Sequence, residues 1–200
     1  MIQRISIRLA DVVVNSHPNA EFKHEWITYW FEKMIGRVVT YAIILLIGAL
    51  LNQVLITATY LLFFVWLKGA AGGYHASSQL KCTCISALLL LIVFGVNHFV
   101  TTDIYLVFIP ISLIASGVIF YIFAPVNHPN LHLNKDELVA HRKGTIIIFL
   151  IESLLILLLW LFGAPKTIIV TATLSIIIVA LMVIYARMTK REENFIDEDA

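Results

Sequence analysis

The chain has 200 residues, of which 60% are apolar and only 14% charged, and its formal net charge is +1. Soluble domains run to roughly 45–50% apolar and about 25% charged residues, so there is too little polar surface here to clothe a water-soluble globule. The near-neutral balance offers nothing to nucleic acid, and the two cysteines, Cys82 and Cys84, stand too close together for a disulfide framework.

Residues 1–37 hold nine charged side chains and no continuous apolar core, which argues against a cleavable signal peptide. Residues 2–14 place Ile2, Ile5, Leu9, Val12 and Val13 on one helical stripe, with Arg4, Arg8 and Asp11 elsewhere. Residues 20–34 repeat the pattern with Phe22, Trp26, Tyr29 and Trp30. Both stretches read as amphipathic helices lying at the membrane interface, packed on a helix bundle, or both. On the interfacial reading residues 1–33 can be removed without preventing insertion.

Apolar segments follow at 38–51, 54–67, 85–100, 104–123, 145–162 and 167–186. The last four meet or approach the ~20 residues a transmembrane helix needs. Residues 38–67 read either as one long helix or as a hairpin turning at Asn52-Gln53, and charge decides between them. Lysine and arginine number five in residues 1–37, two in 68–84, three in 124–144 and three in 187–200, against none in the join at 101–103 and one at 163–166. Only six spans put all four basic regions on one side, as the positive-inside rule requires. The expected fold is therefore all-α: a polytopic membrane helix bundle of six spans with amphipathic N-terminal helices and both termini cytoplasmic. It forms one domain over 1–200, divided into an interfacial region (1–37), a bundle (38–186) and a tail (187–200). The first two spans are short, at roughly 14 residues each, and need bilayer thinning or shelter from other helices, which gives a reason to associate as a homodimer.

One polar island interrupts the apolar sequence: "KGAAGGYHASSQLKCTC", residues 68–84. It lies between spans two and three, on the cytoplasmic side. A cysteine thiolate is a nucleophile, and a nearby imidazole can take its proton. On one straight helix His75 and Cys82 would stand about 10 Å apart along the axis, so a dyad needs a bend before the helix that carries Cys82. Gly69, Gly72 and Gly73 can supply the bend, and Ser77 or Ser78 can cap the next helix. Cys84 lies about 200° round the helix from Cys82 and is not expected to share its site. Against this stands the plainer possibility of an ordinary loop followed by a small buried cysteine.

"KGAAGGYHASSQLKC" resembles the central motif of the AgrB family, the accessory gene regulator membrane endopeptidases of Gram-positive bacteria. Lys68, Gly73, His75 and Cys82 match its basic residue, glycine, histidine and cysteine in order and spacing. "FAPVNHPN" at 123–130 also resembles the family, which tends to carry Ala-Pro, a further proline and then a lysine-rich cluster. Here Lys135, Arg142 and Lys143 are dispersed instead. The resemblance implies a bacterial cell-membrane cysteine endopeptidase acting on an AgrD-like precursor peptide, with Cys82 as nucleophile and His75 as general base. It implies release of the precursor's C-terminal tail and closure of a thiolactone or lactone ring. It calls for no cofactor and no metal. An oxyanion needs donors, for which backbone N–H groups near Cys82 and the side chains of Ser78 and Gln79 are candidates, although helix capping is the plainer role for both side chains. Lys68 serves either a substrate carboxylate or lipid headgroups.

Other signals are weaker. His128 and His132 are four apart, but Pro129 argues against the regular helix a metal pair would need. Glu152 is an acid inside span five, able to pair with a buried polar group, line a transport path or sit at the membrane edge. A small transporter without covalent chemistry is the competing reading, although no inverted repeat is apparent.

Overall fold

The computed structural model describes residues 2–16, 24–72, 79–100, 102–126 and 135–197, and among them every regular element is an α-helix. In chain order these are α1 (Ile2–Ser16), α2 (His24–Leu50), α3 (Val54–Ala71), α4 (Gln79–Phe99), α5 (Thr102–Phe123), α6 (Lys135–Leu161) and α7 (Lys166–Asp197). Helices α2 to α7 each contain a stretch long and apolar enough to cross a membrane. The chain is thus a multi-pass membrane protein with an all-α fold.

Residues 38–67 are two helices. Asn52 turns the chain with φ +54°, a left-handed angle that asparagine tolerates better than most residues. The Gln53 amide donates to the Gly48 carbonyl at 2.7 Å, and the Thr57 hydroxyl to the Gln53 carbonyl at 2.9 Å. A Cβ at Gly48 would overlap the Thr57 side chain, so glycine is what lets α2 and α3 approach this closely at the hairpin.

The first helix of the hairpin corrects one expectation. The aromatic stretch 20–34 is not a separate interfacial helix, because its described part runs on without a break into the first span. That span covers Ile27–Leu50 and the second Val54–Ala71, 24 and 18 residues respectively. Neither needs a thinned bilayer, and the shortness that argued for association disappears.

Helix α7 is the centre of the bundle. Its span is 67% buried, whereas no other exceeds 39%. It packs against α3, α4, α5 and α6, and its buried positions include Ile169, Val170, Ile176, Val179 and Val183. Leucines, isoleucines and phenylalanines such as Leu46, Leu91, Ile114, Ile147, Leu154 and Phe162 point outward, an apolar exterior suited to lipid. Helix α1 packs along α2. Its buried residues are the small Ser6 and Ala10, at the i, i+4 spacing that allows close helix approach. Its predicted apolar stripe stays exposed at Ile5, Leu9 and Val12. One face of α1 therefore meets α2, and another face is apolar and exposed. His24 Nε2 and Asp11 Oδ1, 2.8 Å apart, tie the two helices together.

Candidate functional site

The polar island opens on the last turn of α3, where the helix ends at Gly72. Two features hold this end. Gly72 has φ +72°, and a Cβ there would lie 2.8 Å from the Val126 carbonyl oxygen. The Val126 amide in turn donates to the Ala71 carbonyl at 3.2 Å. The segment after α5, which carries the Ala-Pro signature, is thereby docked against the start of the island. Thr145 of α6 donates to the Ala70 carbonyl at 2.9 Å, satisfying another of the acceptors that a helix C-terminus exposes. Of the glycines expected to bend the chain, Gly72 ends α3 with a left-handed angle, whereas Gly69 lies inside α3 in open space with an ordinary backbone angle.

His75, Gly73 and Ser78 lie outside the described residues, as do Ser77, His128 and His132. Gln79 begins α4, but its side chain is likewise not described. The described residues therefore do not include the His75–Cys82 pair. What is described is the setting of Cys82. Cys82 stands in the first turn of α4 and is half-buried, whereas Cys84 is exposed, so the two thiols face different surroundings as their angular separation predicts. The first turn of a helix presents unpaired N–H groups and the positive end of the helix dipole, both of which can meet a negatively charged or carbonyl oxygen.

Three neighbours of Cys82 escaped the sequence reading or were named for other reasons. Tyr41 of α2 and Tyr60 and Lys68 of α3 all lie within electrostatic reach of the thiol. The adjacent Thr83 is 2.8 Å from Thr40 of α2, hydroxyl to hydroxyl, which fixes α4 against α2. Thr40 is about 15 Å along the helix axis from the Leu50 end, at 1.5 Å per residue. The start of α4 therefore lies alongside the middle of the first span and not at its end. Lys68 is half-buried and holds its Nζ 5.0 Å from the centroid of the Phe64 ring, a cation–π contact within the bundle. Along α4 the Cys82 face continues at i+3 and i+7 through Ile85 and Leu89. These two line an apolar cavity of about 340 Å³ shared with Ile178, Leu181, Met182 and Tyr185 of α7.

Away from this site, Arg142 donates to the Tyr121 carbonyl at 2.7 Å and lies over the Tyr121 ring, so this dispersed cation secures the α5 end. Lys166 donates to the Val100 carbonyl at 2.6 Å, beside the end of α4. Glu152 is 1% exposed, and neither of its carboxylate oxygens has a hydrogen-bond partner among the described residues. It lies well inside the apolar stretch Val139–Leu161 and not at either end of it. Among the described residues no cluster of three or more His, Cys, Asp or Glu forms a metal site.

The fold and this setting define a multi-pass membrane protein with a thiol held within its bundle at a helix start. The model of the accessory gene regulator B family matches residues 6–185, and the chain belongs to that family. Relatives named as AgrB-like occur in Listeria monocytogenes and Listeria innocua, each 26% identical over 196 residues and covering 96% of this chain and 94% of the relative. A further one in Listeria welshimeri is 24% identical over 195 residues, with the same coverage. No solved structure matches the chain.

Proposed function

We propose that the chain is a membrane cysteine endopeptidase that removes the C-terminal tail of an AgrD-like precursor and closes the remainder into a cyclic quorum-sensing peptide. The observation that carries this reading is the setting of Cys82: half-buried, in the first turn of α4, with Lys68 nearby, inside a motif that matches the family's. His75 takes the thiol proton. Sγ adds to the backbone carbonyl at the cleavage point, the amine of the tail departs with a proton from the imidazolium, and a thioester remains on Cys82. A thiol or hydroxyl of the peptide then attacks the thioester carbonyl, forming a thiolactone or lactone and returning the thiolate. Water would give a linear product, and a site set alongside the middle of α2 in an apolar bundle keeps water scarce. The cavity beyond Cys82, lined by Ile85 and Leu89, suits apolar side chains next to the cleaved bond.

The bend at Gly72 and Gly73 lets His75 fold back toward Cys82. Ser78 and Gln79 supply donors at the start of α4, and Lys68 holds a carboxylate of the peptide. We infer a cytoplasmic position in the cell membrane for this motif and both termini, a reading supported by the basic segments under the positive-inside rule. One domain spans the chain, and a homodimer is the proposed assembly.

Co-expression with the precursor tests the reading, with loss of the tail followed by mass spectrometry. Cys82→Ala and His75→Ala should each abolish cleavage in protein that still inserts, while Cys84→Ala cleaves normally. Cleavage by Cys82→Ala would reject the nucleophile. A second reading, transport without covalent chemistry, is favoured by the unpartnered Glu152 carboxylate inside the bundle. It gains if the wild type leaves the precursor intact but moves it across the membrane.

A further inference from the structure

Helix α4 is pinned to different neighbours at its two ends. In its last turn Asn97 donates to the Thr171 hydroxyl of α7 at 2.9 Å, and Lys166 of α7 donates to the Val100 carbonyl just beyond it at 2.6 Å. Near its start Thr83 meets Thr40 of α2 at 2.8 Å. Between these anchors a gap separates α4 from α7, the apolar cavity of about 340 Å³. The Asn97–Thr171 bond also fixes the register of the two antiparallel helices. Equal strides from it, back along α4 and forward along α7, bring Cys82 level with Ala186. Tyr185, the residue before Ala186, lines the cavity, and so do Ile85 and Leu89, which follow Cys82 at i+3 and i+7 on one face of α4. The thiol therefore stands at one end of the cavity. Ile178 is buried and closes its floor, whereas Leu181 and Tyr185, 57% and 56% exposed, border its mouth. That mouth belongs to the apolar exterior, so the cavity opens sideways toward lipid and not toward water.

We propose that the peptide reaches Cys82 sideways from the bilayer, through the gap between α4 and α7, and seats an apolar side chain beside its cleaved bond on the floor formed by Ile178. This rests on the reading of Cys82 as nucleophile. The substrate class that follows is a membrane-inserted peptide with a bulky apolar residue next to the scissile carbonyl. The dimensions favour a side chain over a lipid tail. From Ile178 to Tyr185 the cavity runs only about 10 Å along α7, whereas a tail spans half of a hydrocarbon core about 30 Å thick. Entry from the lipid side also delivers the carbonyl to the thiol without opening a water-filled path, which favours ring closure over hydrolysis.

Met182→Trp fills the cavity from α7, and Leu91→Trp adds the same bulk on the lipid-facing side of α4, away from it. In membranes containing the full chain and the precursor, Met182→Trp should raise KM for tail release about tenfold, the loss expected when one apolar side chain is denied its pocket. Its kcat should stay within about twofold, and alkylation of Cys82 by iodoacetamide, a small reagent, should proceed as in the wild type. Leu91→Trp should match the wild type throughout. A second measurement does not depend on how Met182→Trp folds. In uncleaving Cys82→Ala, a photoreactive benzoylphenylalanine in place of Leu181 should capture the epitope-tagged precursor, and one in place of Leu91 should not. Wild-type KM in a folded Met182→Trp overturns the proposal and leaves the peptidase intact. Capture from Leu181 of lipid alone, or of a second copy of the chain alone, overturns it likewise. Tail release by Cys82→Ala overturns the peptidase reading and this inference together.

Discussion

Gly72 is held by two independent constraints, its left-handed backbone angle and the Val126 carbonyl that occupies the space of a Cβ. Gly69, three residues earlier, has neither. Gly72→Ala should therefore destabilise the protein by about 1–3 kcal/mol, whereas Gly69→Ala, in a helix interior with open space, should stabilise it by about 0.5–1 kcal/mol. Thermal melting in detergent would separate the two, and equal effects would show that the docking of Val126 on α3 is not formed. At this scale the sequence showed which residues had chemistry to offer but not which of them met. Cys82 and Lys68 stood out as polar atoms in an apolar chain. Tyr60 did not, because a tyrosine among leucines and phenylalanines carries no signal until its buried hydroxyl is found without a hydrogen-bond partner among the described residues. Arg142 was visible as a charge, and only the contact with Tyr121 gives it a task.

The helices themselves were largely legible, since long apolar runs and the turn at Asn52-Gln53 follow from hydropathy and charge. Their ends were not. The charged region 1–37 reads as ending before the first span, yet α2 passes through Glu32, Lys33 and Arg37, because a helix that leaves the apolar layer has no need to stop. The same holds at α6, which begins at Lys135, and at α7, which continues to Asp197. This changes how the N-terminal region should be tested. Removing residues 1–33 would cut into the first span, which starts at Ile27. Removing residues 1–16 takes away α1 alone. If α1 receives the amphipathic part of the precursor at the membrane surface, this truncation should leave insertion intact and reduce processing at least tenfold. Unchanged processing would confine α1 to a packing role against α2.

Across the whole molecule, polar contacts knit each face of an otherwise apolar bundle. Gly72 with Val126, Thr145 with Ala70 and Arg142 with Tyr121 join the ends of α3, α5 and α6. Lys166 with Val100, and the Asn97 amide donating to Thr171 at 2.9 Å, join α4 to α7. None of these pairs is close in sequence, so hydropathy cannot reveal them. The bundle as a class was predictable, but its internal register was not. Orientation follows from charge: in a cysteine-free background, Leu51→Cys and Gly163→Cys should react with an impermeant maleimide added outside intact cells. Ser16→Cys and Arg187→Cys should react only after permeabilisation. The opposite pattern would put the motif on the outer face.

If Cys82 carries the peptide as a thioester, that species can be trapped. The purified full chain would be incubated with a precursor whose ring-closing side chain is replaced by alanine, so that the acyl group has nowhere to go. Intact-mass and peptide analysis should then show Cys82 bearing the precursor without its tail, released by neutral hydroxylamine and absent from Cys82→Ala. Tail release with no adduct on Cys82, or with the adduct on Cys84, would contradict the account.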